Sequence, residues 1–174
     1  MYLIRPLTKV DLRLVETGMR SGGMPDKHAR RLELQGRGTC TYLFAWLRDA
    51  PVGHLLLTWT GPELEPMKSA IRDSPEVGDL LVREDLRSRG IGGCLLENAE
   101  RLVVSRGFNQ MGLAVGIGNE RARRLYERFG YVDAGFSRFT VRWTYLDRYG
   151  REQTEGEECV YLTKRLVTQS GVPS

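Results

Sequence analysis

The densest chemistry in this 174-residue chain lies between Glu76 and Gly93, reading EVGDLLVREDLRSRGIGG. A short apolar run, Leu80, Leu81 and Val82, enters a loop carrying Arg87, Ser88, Arg89, Gly90, Ile91, Gly92 and Gly93, and the loop opens directly into an amphipathic segment with helical spacing. Glycines let a backbone approach an anion closely. The first amides of a helix lack intrahelical partners, and the helix dipole favours negative charge there. A strand–loop–helix unit with two arginines in the loop is therefore a cradle for a diphosphate. Two common nucleotide loops are excluded: no Lys followed by Ser or Thr comes after the last glycine, and Leu95 occupies the place where a dinucleotide fingerprint needs its third glycine. What remains is Arg-x-x-Gly-x-Gly at Arg87, Gly90 and Gly92, which by itself also suits a tight strand-to-helix connection.

Two carboxylates sit on the strand leading into this loop. Glu76 and Asp79 are three residues apart, and regular strand alternation puts them on opposite faces, so at most one points into a cleft directly. Glu63, Glu65 and Asp73 make the preceding loop acidic, which either steers a cationic acceptor there or is ordinary solvated charge. The only histidines, His28 and His54, have no recognisable nucleophile partner, so a covalent relay is not expected and both read as structural or solvent-exposed. Cys94, three residues into the helix, reads as small packed core.

The elements that must hold these residues follow from periodicity. Tyr2 to Arg5 is an opening strand, and Thr8 with Asp11 forms a variant capping box for a helix ending near Gly18. A second helix is expected from Pro25 to Gln35. Thr39 to Leu47 and Val52 to Thr60 form a hairpin around Arg48 to Pro51. Gly61 to Ser74 reads as a loop with one helical turn at Met67 to Ile71. After the cradle, Ile91, Leu95, Ala99, Leu102 and Val103 share a helical face that ends at Gly107, and Gln110 to Val115 is a strand. A strand–helix–strand unit of this length predicts a parallel, right-handed crossover. Asn119 is placed as an N-cap for a helix with Ala122, Leu125, Tyr126 and Phe129 on its apolar stripe and Gly130 at its end. Tyr131 to Tyr145 and Glu157 to Leu166 read as two strands around an Asp147 to Gly150 turn. Residues 1–167 make one domain and 168–174 a disordered tail.

Composition bounds the function. Three widely separated cysteines argue against a disulfide framework and a zinc site, and fit a reducing, cytoplasmic location. No apolar run is long enough to span a membrane. The net charge is +4, the basic residues are overwhelmingly arginine, and two clusters of them sit where a polyanionic cofactor would be held. No aromatic-interleaved basic strand supports a nucleic-acid partner, which is therefore not expected.

The Val52-Gly53 hairpin, the Asp79-Leu80-Leu81-Val82 strand, the Arg87 loop and the segment from Asn119 to Tyr131, NERARRLYERFGY, occur in an order and spacing that resemble the GNAT N-acetyltransferase superfamily over roughly residues 1–165. The resemblance implies an α/β fold with one GNAT-like domain, a central mixed and mostly antiparallel sheet with a parallel pair at the cofactor cleft, and helices on both faces. It further implies acetyl-CoA as cofactor, with Leu80, Leu81 and Val82 along the pantetheine arm and Arg87 to Gly93 on the diphosphate. Asn119 would touch the arm. Tyr126, core by spacing alone, would face the thioester sulfur. The activity implied is transfer of acetyl to a primary amine of a small molecule or peptide by direct attack. A coenzyme A module without catalysis is the alternative.

Glu76 stands where some members of the family carry a catalytic glutamate, with Asp79, bulk water, Glu63 or Glu65 as other bases. Arg121, Arg123, Arg124 and Arg128 either reach cofactor phosphates or form a solvated face paired with Glu120 and Glu127. A homodimer through the last two strands is implied by likeness only. The loops near 20–38, 61–75 and 147–156 carry no signature that selects the acceptor.

Overall fold

The computed structural model describes residues 2–19 and 22–167; the tail expected from Thr168 lies outside the described residues. In chain order the elements are β1 (Leu3–Pro6), α1 (Leu12–Gly18), α2 (Lys27–Gly36), β2 (Cys40–Leu47), β3 (Ala50–Thr58), α3 (Met67–Ala70), β4 (Glu76–Val82), α4 (Ile91–Ser105), β5 (Gln110–Gly116), α5 (Glu120–Arg128), β6 (Val132–Asp133), β7 (Phe139–Leu146) and β8 (Glu152–Arg165). One sheet contains all eight strands, in the order β1-β2-β3-β4-β5-β8-β6, with β7 also on β8. Among the described residues only β4 and β5 are parallel; every other pair is antiparallel.

The last third of the chain departs from the expected pair of strands. Tyr131 to Tyr145 is interrupted between Asp133 and Phe139, and β8 starts at Glu152 rather than Glu157. The long β8 pairs with β5 through Cys159–Arg165 on one edge, and with β6 and β7 on the other. Periodicity could not show this, because the split depends on which partner each half of β8 finds.

Helices cover both faces. Beneath α4, Ile91, Leu95, Leu96, Ala99 and Val103 meet Leu43, Leu55, Leu57, Val77, Leu113 and Val115 of the sheet. Each fully buried aliphatic side chain there contributes about 1.5–3 kcal/mol. On the opposite face Val15 and Met19 join Leu7, Tyr42, Phe44 and Trp46. Arg5 clamps this second layer by donating two hydrogen bonds, 2.6 and 2.7 Å, to the Asp11 carboxylate, which also accepts from the Thr8 amide at 3.0 Å. No described helix is long and apolar enough to cross a membrane.

Both histidines are buried rather than solvent-exposed, His28 at 2% and His54 at 0% exposure. Their bonding fixes the tautomers. His28 Nε2 lies 2.8 Å from the Met19 carbonyl and so carries the proton, leaving Nδ1 to accept from the Tyr42 hydroxyl at 3.0 Å. His54 Nδ1 is 3.3 Å from the same hydroxyl oxygen, while its Nε2 has no partner. Burial pushes both imidazoles down, His54 to about 3. Both are neutral at pH 7 in the folded chain but titrate near 6.5 once unfolded. Below that pH the unfolded state binds more protons, and stability falls as pH drops. Urea unfolding is expected to lose up to about 1.4 kcal/mol for each pH unit between 6.5 and 5 through His54, and His28 acts in the same direction. A flat stability over that interval contradicts neutral burial.

Candidate active site

The sheet opens at its only parallel joint. β4 and β5 register at Glu76↔Gly112 and Val77↔Leu113, and the pairing stops there. Beyond that point β4 stays with β3 while β5 stays with β8, so a wedge forms between them. A bulge in β4 sets its shape. Pairing with β3 jumps from Leu56↔Gly78 to His54↔Leu81, so Asp79 and Leu80 together oppose one residue, and Asp79 adopts φ 47°.

The bulge overturns the expectation that Glu76 and Asp79 lie on opposite faces. Strand alternation resets at Asp79. Val77, Leu80 and Val82 pack with the α4 layer, and Leu81 packs with the layer of α1 and α2. Asp79 meets α2, and Glu76 meets Tyr161, whose neighbours Val160 and Leu162 belong to the α4 layer. Both carboxylates therefore face away from α4. Plain period-two reasoning fails because one extra residue inverts every side chain after it.

Past β4, a single 3-10 turn at Glu84–Leu86 leads to Ser88 at φ 63° and Gly90 at φ 82°, where α4 begins. Among the described residues, no amide from Ser88 to Gly93 donates to a backbone carbonyl outside the helix, whereas Cys94 N–H already bonds the Gly90 carbonyl at 3.0 Å. The loop thus presents a run of free donors with alternating left-handed turns, an arrangement suited to an anion. Gly93 has a packing duty as well: a Cβ there would lie 2.7 Å from Cζ of Phe129, the residue that caps the end of α5.

A cleft of about 890 Å³ joins these parts. Leu80, Leu81 and Val82 form one wall, and Asn119, Leu125 and Tyr126 of the α5 region form the other. The Arg87–Gly93 loop closes one end. Asn119 caps α5, its Oδ1 accepting from the Ala122 amide at 3.2 Å. Tyr126 is 7% exposed and packs edge-on against Tyr131. It lines the cleft while belonging to the core, the place its spacing alone implied. Burial pushes its phenol up to about 12, which keeps it protonated at neutral pH.

The arginines divide as expected: Arg123 pairs with Glu127 at 2.8 Å and Arg124 with Glu120 at 3.1 Å. Arg121 instead crosses to the loop and donates to Ser88 Oγ at 3.1 Å. Cys94 is half-buried.

The two carboxylates differ in state. Burial raises the Glu76 pKa, the 2.9 Å hydrogen bond from Tyr161 opposes this, and the charge of Glu63 adds to the rise. For Asp79 burial also acts upward, but the neighbouring His54, Arg31 and Lys27 together outweigh it and hold the carboxyl below its usual range. Lys27 Nζ lies 2.6 Å from Asp79 and Arg31 also pairs with it. Sequence reasoning did not find Tyr161, Lys27 or Arg31. Lys27 and Arg31 share a helix face at i and i+4, but nothing local announces a partner 48 residues further along the chain.

A wedge between parallel strands, a free-amide loop opening a helix and a buried tyrosine on the opposing helix meet at this one cleft. The acetyltransferase (GNAT) family profile matches residues 13–131. The chain belongs to this family and is an N-acetyltransferase by class. The fold is shared with an N-acetyltransferase from Staphylococcus aureus at 14% identity and TM-score 0.68, covering 96% of this chain and 99% of that one. It is shared equally with a ribosomal-protein-alanine N-acetyltransferase from Brucella melitensis at 20% identity and TM-score 0.68, covering 94% and 99%. An acetyltransferase of the family from Streptococcus pneumoniae aligns at 16% identity and TM-score 0.63, covering 96% and 100%. Comparison with curated proteins finds no match.

Replacing Asn119 with Ala removes the α5 cap and is expected to cost about 1 kcal/mol. Urea unfolding at neutral pH checks this, and an unchanged midpoint would show that the cap bond contributes nothing.

Proposed function

We propose that this protein transfers acetyl from acetyl-CoA to a primary amine of a small molecule or peptide within a ternary complex. The observation that carries the reading is the early end of the β4–β5 ladder, which leaves the edge of Leu80–Val82 facing an open cleft beside the free amides of Ser88–Gly93. Backbone polar groups at such an edge require a partner. The pantetheine arm, with amides of its own, meets that need as an added strand would. Leu80, Leu81 and Val82 hold the arm and Asn119 touches it. Arg87, Ser88, Arg89, Gly90, Ile91, Gly92 and Gly93 hold the diphosphate. When bound, the cofactor supplies an acetyl thioester activated toward nitrogen nucleophiles.

An alkyl amine with a lysine-like pKa is unprotonated in only about one molecule in 2,500 at pH 7, a cost of roughly 4.6 kcal/mol. Glu76 takes that proton, directly or through a water. Its raised pKa suits a base working near neutrality, whereas Asp79 is already committed to Lys27 and Arg31. Tyr126 keeps a proton on its Oη across the physiological range and offers it to the departing sulfur.

Glu76→Gln is expected to abolish the acidic limb of the pH–rate profile, and a profile identical to wild type would move the base elsewhere. Tyr126→Phe is expected to lower kcat by about 100-fold while acetyl-CoA affinity, measured by calorimetry, changes little. Unchanged turnover removes Tyr126 from the mechanism. Absence of any heat on mixing wild type with acetyl-CoA sinks the cofactor assignment itself.

A further inference from the structure

We propose that Lys27 and Arg31 of α2 are positioning residues for the coenzyme A cleft: by gripping Asp79 they hold β4 in its bulged register and so keep the wedge between β4 and β5 open. The proposal rests on the cofactor reading above and deepens it, because it assigns a role to residues that border neither the loop nor the cleft.

Asp79 is the pivot. At φ 47° it occupies left-handed backbone that side-chain-bearing residues adopt only when their surroundings require it. Aspartate tolerates this better than most residues, yet tolerance does not create a bulge. The requirement comes from charge. Lys27 and Arg31 are one helical turn apart, their side chains only 6% and 16% exposed, and both converge on the Asp79 carboxylate. Two nearly buried cations share this one acid. His54, lying 3.7 Å away, is neutral and adds no third cation.

Straightening β4 shows what the grip selects against. From Val77, which faces α4, unbroken alternation would carry Asp79 to that same face, under Ile91 and Leu95. A carboxylate would then enter an apolar layer, and two cations beneath α2 would lose their counter-charge. Leu80 and Leu81 would exchange faces as well. A straight β4 would also continue its ladder with β5, consuming the backbone groups that the cleft leaves open. The ion pairs therefore favour the one register in which the strand edge is available to a ligand. The grip connects helix and strand through side chains alone and takes up no backbone group of Leu80–Val82.

The test is calorimetric titration of coenzyme A into wild type, Lys27→Met, Asp79→Ala and Asp79→Gly, with steady-state kinetics and thermal unfolding alongside. Lys27→Met and Asp79→Ala are expected to weaken coenzyme A binding by about tenfold, the loss appearing in KM for acetyl-CoA rather than in kcat. Asp79→Gly is expected to bind better than Asp79→Ala, since glycine takes φ 47° without strain even though it loses the grip. Should Asp79→Ala fail to fold, Arg31→Lys, which keeps the charge and loses the guanidinium fork, is read against Lys27→Met and is expected to bind better than it. Variants that bind coenzyme A as wild type does overturn the proposal. So does an Asp79→Gly variant that binds as tightly as wild type, which would place the requirement in backbone strain rather than charge, or an Asp79→Gly protein whose acidic pH limb moves while binding holds, which would make Asp79 the base. Wild type that takes up no coenzyme A overturns the cofactor reading first.

Discussion

Every functional feature of this molecule depends on one constraint: two parallel strands must part after two paired residues without exposing the fold to collapse or to edge pairing. A separated ladder leaves main-chain donors and acceptors in a largely apolar setting, where each needs a partner. The sheet absorbs the separation by giving each strand a full antiparallel neighbour on its other side, β3 for β4 and β8 for β5. The opening is thereby confined to one end of one joint. α4 spans the sheet beneath it, with Leu95, Leu96 and Ala99 fully buried, so the wedge sits on a rigid floor.

Charge is distributed along the same axis. β4 runs from Glu76 to Val82, roughly 20 Å of strand. Carboxylate lies at its start and arginine beyond its end. Burial then sets the state of the groups between them. It lifts Glu76 toward the range of a useful base and keeps Tyr126 protonated. It also holds His28 and His54 neutral, which makes them part of a packed polar layer rather than a relay.

That polar layer links parts of the chain far apart in sequence. The Tyr42 hydroxyl sits between His28, His54 and Arg31, and Arg31 continues to Asp79. An apolar layer of similar volume would be cheaper to bury. What the polar one adds is direction: the hydrogen bonds and ion pairs it makes require one register of β4 against β3, whereas aliphatic contacts tolerate slippage.

Much of this was determined by the sequence alone. Local signals governed where they were strong: the Gly-Arg loop ahead of an apolar stripe, the Asn119 cap, and Gly107 and Gly130 in left-handed conformations at helix ends. They were sufficient because glycine, asparagine and period-3.6 spacing restrict the backbone within a few residues. Tertiary structure alone decided the bulge at Asp79, which moved that carboxylate to the face of Glu76, and the division of β8 between two partner edges. It alone brought Lys27, Arg31 and Tyr161 to the carboxylates. The reason is physical. A strand's register and the charge partner of a buried acid are fixed by segments dozens of residues away, and no short window of sequence contains both sides of such a contact.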